Sequence, residues 1–78
     1  MATLRLFASA RLAAGTRTAA FDEPTVGALL DAAVERFGEN FDVVLANSKV
    51  WCNGEPCGRQ QPISSTDEIA VLPPVSGG

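Results

Sequence analysis

The sequence predicts a single α+β domain in which one main helix packs across a mixed β-sheet. A chain of 78 residues is long enough for one small hydrophobic core, and 46% of its residues are hydrophobic. The central region has the periodicity of an amphipathic helix, whereas the flanking regions alternate with the period of two that strands show. Because no repeat or linker divides the chain, we expect one domain over residues 1–78, with a flexible C-terminal tail at residues 73–78.

The N-terminal region is predicted to form a β-hairpin. Residues 3–8 alternate as in a half-buried strand, and Leu4 and Leu6 lie on one face. The opposite face carries Thr3, Arg5 and Phe7. Residues 16–21 alternate in the same way, and we interpret the Ala/Leu-rich stretch that ends at Gly15 as the connector between the two strands.

The clearest helix signal lies between Thr25 and Gly38. Apolar residues recur there at spacings of three and four, namely Val26, Leu29, Leu30, Ala33, Val34 and Phe37. Thr25 is a suitable N-cap because its hydroxyl can accept a hydrogen bond from a free amide of the first turn. Gly38 can adopt the left-handed conformation that ends many helices. This segment is therefore the predicted main helix.

The region after the main helix contains a third strand and a tight turn. Residues 39–48 fit either a short helical turn or a loop that lies against the core. Residues 49–53 alternate as a strand, and the pair Asn53-Gly54 predicts a turn because both residue types accept positive φ. Residues 55–65 contain loop residues and at most one short strand.

The last strand is predicted at residues 66–72. Ile69 and Val71 lie on one face, and the other face carries Ala70 and Leu72. Pro73 and Pro74 end the strand because proline has no backbone N–H to donate to a neighbour. The predicted order is strand, strand, helix, strand, short strand, strand.

Composition and charge exclude several classes of function. The net charge is −3, and the six basic residues are spread through the sequence, so no run of Lys and Arg offers the footprint that nucleic-acid-binding proteins use. No apolar run approaches the roughly 18 residues of a membrane-spanning helix, and the first residues do not resemble a signal peptide. We therefore expect a cytoplasmic protein that binds neither nucleic acid nor membrane.

The two cysteines, Cys52 and Cys57, are the candidates for thiol or metal chemistry. The chain has no His, so one subunit can assemble neither a four-ligand zinc site nor a Cys-His nucleophile, and their spacing does not match a C-x-x-C pair. We interpret Cys52 as a small buried hydrophobe and Cys57 as a loop thiol, and we assign neither a role. No metal site, bound cofactor or independent catalytic site is predicted.

The C-terminal tail is the candidate functional element. Six extended residues reach about 20 Å, and Pro73 and Pro74 stiffen the base of the tail. Gly77 and Gly78 lack a Cβ, so they can pass through a channel that any side chain would block. The alternative is a frayed terminus. The tail directly continues the predicted last strand through a rigid base, which favours the functional interpretation.

A free carboxylate at Gly78 would be a poor electrophile, so its chemistry requires activation. The simplest activation is an acyl-adenylate that another enzyme makes with ATP. Attack of sulfide or a persulfide on that adduct would leave a thiocarboxylate, which is a good nucleophile at neutral pH.

The C-terminal sequence resembles the small, sulfur-carrier subunit of molybdopterin synthase. The resemblance rests on an acidic pair, an apolar strand, Pro-Pro-Val and Gly-Gly, here Asp67-Glu68-Ile69-Ala70-Val71-Leu72-Pro73-Pro74-Val75-Ser76-Gly77-Gly78. It extends to Leu6-Phe7-Ala8, Arg11, Gly15, Thr25-Val26, Asn53-Gly54-Glu55-Pro56 and Pro62-Ile63. One departure is Ser65-Thr66, where members of this family often have Asp-Gly. This alters the turn and not the tail.

The resemblance implies a ubiquitin-like β-grasp fold and a role as a non-catalytic, sulfur-donating subunit. In that family an adenylyltransferase related to ubiquitin-activating enzymes consumes ATP to adenylate the terminal glycine, which then becomes a thiocarboxylate. The large synthase subunit uses this sulfur to convert a cyclic pyranopterin monophosphate into molybdopterin during molybdenum cofactor biosynthesis. The expected assembly is a heterotetramer of two small and two large subunits.

The resemblance also implies roles for individual residues. Gly78 is the position of the acyl-adenylate and of the covalent sulfur. The residues implied to line the channel of the partner are Pro73, Pro74, Val75, Ser76 and Gly77. The residues implied to dock on the partner are Phe7, Arg11 and Leu72. From the residues alone, core packing remains open for Phe7 and Leu72, and a solvated charge remains open for Arg11.

Two other functions share the same tail. A sulfur carrier for thiamin, cysteine or another product would use the same fold and activation step, and the Pro-Pro-Val-Ser-Gly-Gly ending favours the molybdopterin branch. A ubiquitin-like modifier would join Gly78 to lysines of target proteins, and the single Lys49 leaves few sites for chains built on itself. A stand-alone interaction module would work without Gly77 and Gly78.

Overall fold

Five strands form one mixed sheet in the computed structural model, which describes residues 1–74. The strands are β1 (Ala2–Leu6), β2 (Thr18–Phe21), β3 (Lys49–Cys52), β4 (Glu55–Pro56) and β5 (Glu68–Leu72). Their order across the sheet is β2-β1-β5-β3-β4, with β1 parallel to β5 and the other neighbours antiparallel. The strand that leads into the tail is therefore central, and it is hydrogen-bonded on both sides.

The core lies on one face of this sheet. Side chains alternate along the strands, and Leu4 of β1 and Ile69 and Val71 of β5 are completely buried on this face. The predicted main helix, α2 (Val26–Phe37), contributes the buried Leu29 and Ala33. A helix packed on a mixed sheet confirms the predicted α+β architecture.

The predicted connector between β1 and β2 is a helix. This helix, α1 (Ala8–Ala14), ends at Gly15, whose φ of 76° is left-handed and whose N–H donates to the carbonyl of Arg11. The stretch connects the two strands and ends at Gly15 as expected, but its helical conformation was not predicted; it follows from the high helix propensity of Ala and Leu and the burial of Ala10. The antiparallel pairing of β1 with β2 is confirmed.

The predicted N-cap of α2 is confirmed, and its C-terminus differs in one detail. The hydroxyl of Thr25 accepts a hydrogen bond from the N–H of Ala28 at 3.2 Å. Gly38 has the expected positive φ of 97°, but its ψ of −170° is extended and not left-handed. The reason is that Gly38 leads directly into another helix, α3 (Glu39–Ala46), which resolves the open assignment of residues 39–48. Phe41 of α3 is completely buried.

The strands of the second half are shorter than predicted. Asn53 and Gly54 form the expected turn with φ of 53° and 85°. The last strand begins at Glu68, two residues later than predicted, because the N–H of Asp67 donates back to the carbonyl of Ser64 in a turn. Among residues 1–74, the helices are too short or too polar to cross a bilayer.

Candidate functional site

The base of the tail leaves the sheet beside Phe7. Val71 is the register partner of Leu6 in the parallel pairing, so Leu72 and Phe7 follow at the same end of the two central strands. Leu72 is also paired with Lys49 of β3. Pro73 is half-buried and Pro74 is exposed. The predicted roles of Val75, Ser76, Gly77 and Gly78 concern residues outside the described part of the chain, and these roles remain predictions.

The face of the sheet opposite the core carries an apolar surface at this end. The pairings place Trp51 and Ala70 on one row of this face, and both are half-buried. Phe7 is 39% exposed and Leu72 is half-buried and outside the core cluster. We call Phe7, Trp51, Ala70 and Leu72 the open face. The surface position of Phe7 excludes the core alternative for this residue, and its docking role remains a prediction.

Arg5 connects the open face to charged groups. Its guanidinium carbon lies 5.7 Å from the centroid of the Phe7 ring, and its Nη1 lies 3.5 Å from Oε1 of Glu68. The side chains of Arg5 and Glu68 are 49% and 51% exposed, so this ion pair contributes at most about 1 kcal/mol to stability. Arg5 therefore keeps donors available beside Phe7.

The fold brings three of the six basic residues to one cavity at the β1–α1 junction. This cavity has a volume of about 430 Å³, and it is lined by Arg5, Leu6, Phe7, Ala8, Arg11, Arg17 and Thr18. Arg11 and Arg17 also line a neighbouring cavity of about 370 Å³, where Leu12 is 78% exposed. We call the first cavity the arginine cavity. Arg11, predicted to dock on the partner, is thus an exposed residue on the cavity wall.

The basic residues form no run in the sequence, but the fold brings these three arginines together. Arg5 of β1 is the register partner of Thr18 of β2, so Arg17 lies next to Arg5 across the pairing. The intervening helix α1 then places Arg11 at the same cavity. A sequence spacing of six residues hides this cluster, and the predicted pairing of the first two strands is the signal that could have revealed it.

The two cysteines show no sign of activation. Burial raises the pKa of the Cys52 thiol, and the nearby charge of Asp67 raises it further. Burial is also the main cause of the raised pKa of the Cys57 thiol. Both thiols are therefore protonated at neutral pH, which is unfavourable for nucleophilic attack. Within residues 1–74, no three His, Cys, Asp or Glu side chains are grouped to hold a metal ion.

Comparison with known proteins identifies the family. The sequence matches the ThiS family over residues 4–78. Small archaeal modifier protein 1 of Haloferax volcanii is 35% identical over 85 residues, which cover 95% of this chain and 97% of that protein. Its crystal structure has a TM-score of 0.82 at 34% identity and covers 99% of this chain and 98% of that one.

A solved structure with lower sequence identity is also similar, and this likeness supports only the fold of the chain. It is a candidate molybdopterin converting factor, subunit 1, from Pyrococcus furiosus, with a TM-score of 0.83 at 22% identity, covering 95% of this chain and 97% of that one. Together with the parallel central strands and the packed helix, these likenesses establish the ubiquitin-like β-grasp fold. The chain belongs to the ThiS family of ubiquitin-like sulfur carriers and modifiers.

Proposed function

We propose that this chain is the cytoplasmic sulfur-carrier subunit of molybdopterin synthase. In this proposal Gly78 is adenylated, converted to a thiocarboxylate and used to sulfurate a cyclic pyranopterin monophosphate in molybdenum cofactor biosynthesis. The proposal rests on the ending Leu72-Pro73-Pro74-Val75-Ser76-Gly77-Gly78, which directly continues the central strand of the sheet.

The position of β5 supports a tail that is presented to another protein. A strand paired on both sides is held at its C-terminal end by β1 and β3, and Pro73 cannot extend the hydrogen-bond ladder. The chain therefore leaves a rigid support beside the open face. A partner that contacts Phe7 and Leu72 would thus lie next to the point where the tail begins.

The chemistry at Gly78 requires two displacements that partner proteins carry out. First, the carboxylate attacks the α-phosphorus of ATP on an adenylyltransferase related to ubiquitin-activating enzymes, and pyrophosphate leaves. Second, sulfide attacks the acyl carbon, and AMP leaves with the bonding electron pair. Where the donor is a persulfide, the product is an acyl disulfide, and a thiol of the donor protein must then attack its outer sulfur, forming a disulfide and releasing the thiocarboxylate. In this scheme the chain is a carried reactant, and the partner subunit supplies the groups that use the sulfur.

Docking on the large synthase subunit is assigned to Phe7, Leu72 and Arg11. Phe7 and Leu72 offer apolar area close to the tail, and aromatic anchors often dominate binding energy. Pro73 to Gly77 would line the channel of the large subunit. The complex would contain two copies of each subunit.

The test combines binding with mass analysis. The purified chain, the adenylyltransferase, ATP and a sulfide source are expected to give a product whose mass gain equals exchange of one oxygen for sulfur at Gly78. The product should form a stable complex with a molybdopterin synthase large subunit and yield molybdopterin from the cyclic pyranopterin monophosphate. Binding to a thiazole synthase instead of the large subunit would contradict the molybdopterin assignment and favour the thiamin branch.

A second candidate function is covalent protein modification. It is favoured by 35% identity to a protein named small archaeal modifier protein 1. A modifier would use the same acyl-adenylate but transfer the acyl group of Gly78 to a lysine amine, with AMP as the leaving group. Isopeptide-linked Gly78 on other proteins in cells, in the absence of any thiocarboxylate, would support this function over the first.

A further inference from the structure

We infer that the arginine cavity is a docking site for an acidic segment of the protein that receives the tail. The inference deepens the proposed function and depends on it for the identity of that protein. It concerns Arg5, Arg11 and Arg17, which line one cavity of about 430 Å³. The chemical class of the ligand is a peptide segment that bears Asp or Glu side chains.

The cavity concentrates basic residues in a molecule whose net charge is negative. The chain has nine acidic and six basic residues, yet three of the basic residues converge here. Within residues 1–74, Arg11 and Arg17 make no ion pair, and the pair of Arg5 with Glu68 is long and exposed. Arg11 and Arg17 therefore give the cavity wall positive charge that no ion pair within residues 1–74 balances.

Arginine is well suited to bind a carboxylate. Its planar guanidinium presents two parallel N–H donors that match the two oxygens of Asp or Glu, and such pairs are stronger than neutral hydrogen bonds. Three arginines that line one cavity offer enough N–H donors for more than one carboxylate. The exposed ring of Phe7, which lines this cavity, and the exposed Leu12 of the neighbouring cavity add apolar area that suits a peptide.

The position of the cavity connects it to the tail. Arg5 is the register partner of Ala70, and Leu6 is the register partner of Val71, on the strand that leads to Pro73. Adjacent strands are about 4.8 Å apart, so the cavity begins one strand away from the base of the tail. A protein that engages the tail and the open face would therefore also cover the arginine cavity.

A nucleic acid fits these observations less well than an acidic protein segment. Binding along a nucleic acid needs basic groups that follow the spaced phosphates, whereas the other three basic residues, Arg36, Lys49 and Arg59, do not line this cavity. Arg59 is engaged by Asp31 at 2.7 Å. The net charge of −3 also disfavours approach to a polyanion outside the cavity.

Charge reversal tests the inference on the complex with the large synthase subunit. Arg11→Glu and Arg17→Glu are each expected to weaken binding about tenfold or more at low salt, with a smaller loss at high salt because ions screen the interaction. Arg36→Glu is the matched control, because it makes the same charge change at the end of α2 and away from the cavity. Arg36 stacks over the Phe21 ring at 4.2 Å, so thermal unfolding must show that the control is folded at the assay temperature.

Arg11→Lys and Arg17→Lys keep the charge without the planar donors, and we expect them to recover part of the lost affinity. Equal affinity of both Glu variants and the wild type would overturn the inference and leave the proposed function intact. Failure of the wild type to bind the large subunit would contradict the proposed function alone.

A titration of the isolated chain tests the cavity without any partner. A short Glu-rich peptide is expected to shift the NMR signals of Arg11 and Arg17, and Arg17→Glu should abolish the response. No response to the peptide would overturn the inference by showing that the cavity does not bind acidic segments. A response to inorganic phosphate but not to the peptide would overturn it by showing a site for small anions only.

Discussion

The side-chain amide of Asn53 donates a hydrogen bond of 2.8 Å to Oδ1 of Asp67. Oδ1 of Asn53 in turn accepts a hydrogen bond of 2.9 Å from the N–H of Glu68, the first residue of β5. Oδ2 of Asp67 accepts a hydrogen bond of 2.8 Å from the N–H of Ser64. The turn after β3 is therefore linked to the start of the strand that carries the tail.

Asp67→Asn is expected to reduce the sensitivity of the fold to acid. The Asn53 amide, and secondarily the Ser64 N–H, hold the pKa of the Asp67 carboxyl below its ordinary value of 3.8. A lowered pKa in the folded state stabilises the protein above the unfolded pKa, and this contribution is lost as the pH falls through the folded pKa. Unfolding temperatures measured from neutral to strongly acidic pH should therefore fall less steeply for Asp67→Asn than for the wild type.

Asp42→Asn is the control for acid sensitivity because it removes an exposed carboxyl of α3 that has no side-chain hydrogen bond within residues 1–74. Its curve should follow that of the wild type. Parallel curves for wild type and Asp67→Asn would show that the Asn53–Asp67 hydrogen bond does not link stability to pH.

Gly27→Ala is expected to destabilise the domain although alanine favours helices. A Cβ at Gly27 would lie 3.0 Å from the carbonyl oxygen of Arg59 and 3.1 Å from its Cβ. The gain in helix propensity is about 1 kcal/mol, whereas forcing an extra methyl into a packed site costs about 1–3 kcal/mol. Urea unfolding should show a net loss for Gly27→Ala and a smaller effect for Gly58→Ala, whose Cβ would meet no atom within 4 Å. A more stable Gly27→Ala variant would contradict the close packing of α2 on this loop.

Phe41→Ala is expected to remove a large part of the stability of the domain. Its side chain is completely buried, and its ring lies 5.2 Å from that of Phe37. Truncation of a buried Phe costs about 3–5 kcal/mol, against a total stability on the order of 4–12 kcal/mol for a domain of this size. Val43→Ala on the same helix is the control, because Val43 is 61% exposed and its truncation should cost under about 0.5 kcal/mol in urea unfolding. Equal losses for the two variants would show that α3 does not pack as described.

Phe7→Ala is expected to weaken binding to the large synthase subunit while leaving the stability of the domain almost unchanged. Phe7 is 39% exposed and its interaction with Arg5 contributes only about 0.5–1 kcal/mol, so the unfolding temperature should fall slightly. Removal of an aromatic anchor should weaken binding to the large synthase subunit about tenfold or more. Val43→Ala again serves as the control, as an exposed apolar residue on α3 and away from the open face. Unchanged affinity of Phe7→Ala would exclude the open face from the interface.

The features that the sequence predicts are those that depend on neighbouring residues. The cap at Thr25, the apolar stripe of α2 and the turn at Asn53-Gly54 are local, and all three are confirmed. The helix α1 was missed because an Ala/Leu-rich stretch has little contrast between apolar and polar faces. The residues that share a strand face were also predictable, because side chains alternate along a strand.

Features that depend on distant pairing were not predictable from local patterns. The parallel pairing of β1 with β5 joins segments more than sixty residues apart in the sequence, and it determines where the tail leaves the sheet. The arginine cavity depends on the register of β1 with β2 and on the helix between them. Both features arise from tertiary packing, whereas the chemistry proposed for Gly78 was inferred from residue type and family resemblance.

Deletion of Gly77 and Gly78 is expected to abolish sulfur transfer while leaving the domain stable. Within residues 1–74, the buried core extends from Ala2 to Val71 and β5 ends at Leu72, so the deletion leaves every core residue of the described part of the chain in place. The truncated chain should unfold at the temperature of the wild type and bind the large synthase subunit through the open face. It should gain no sulfur when incubated with the adenylyltransferase, ATP and a sulfide source, as measured by intact mass. Gly78→Ala keeps the length and the carboxylate but adds a Cβ that a narrow channel would exclude, so it should be loaded much more slowly than the wild type. Sulfur transfer by the truncated chain at the wild-type rate would show that the reacting group lies elsewhere.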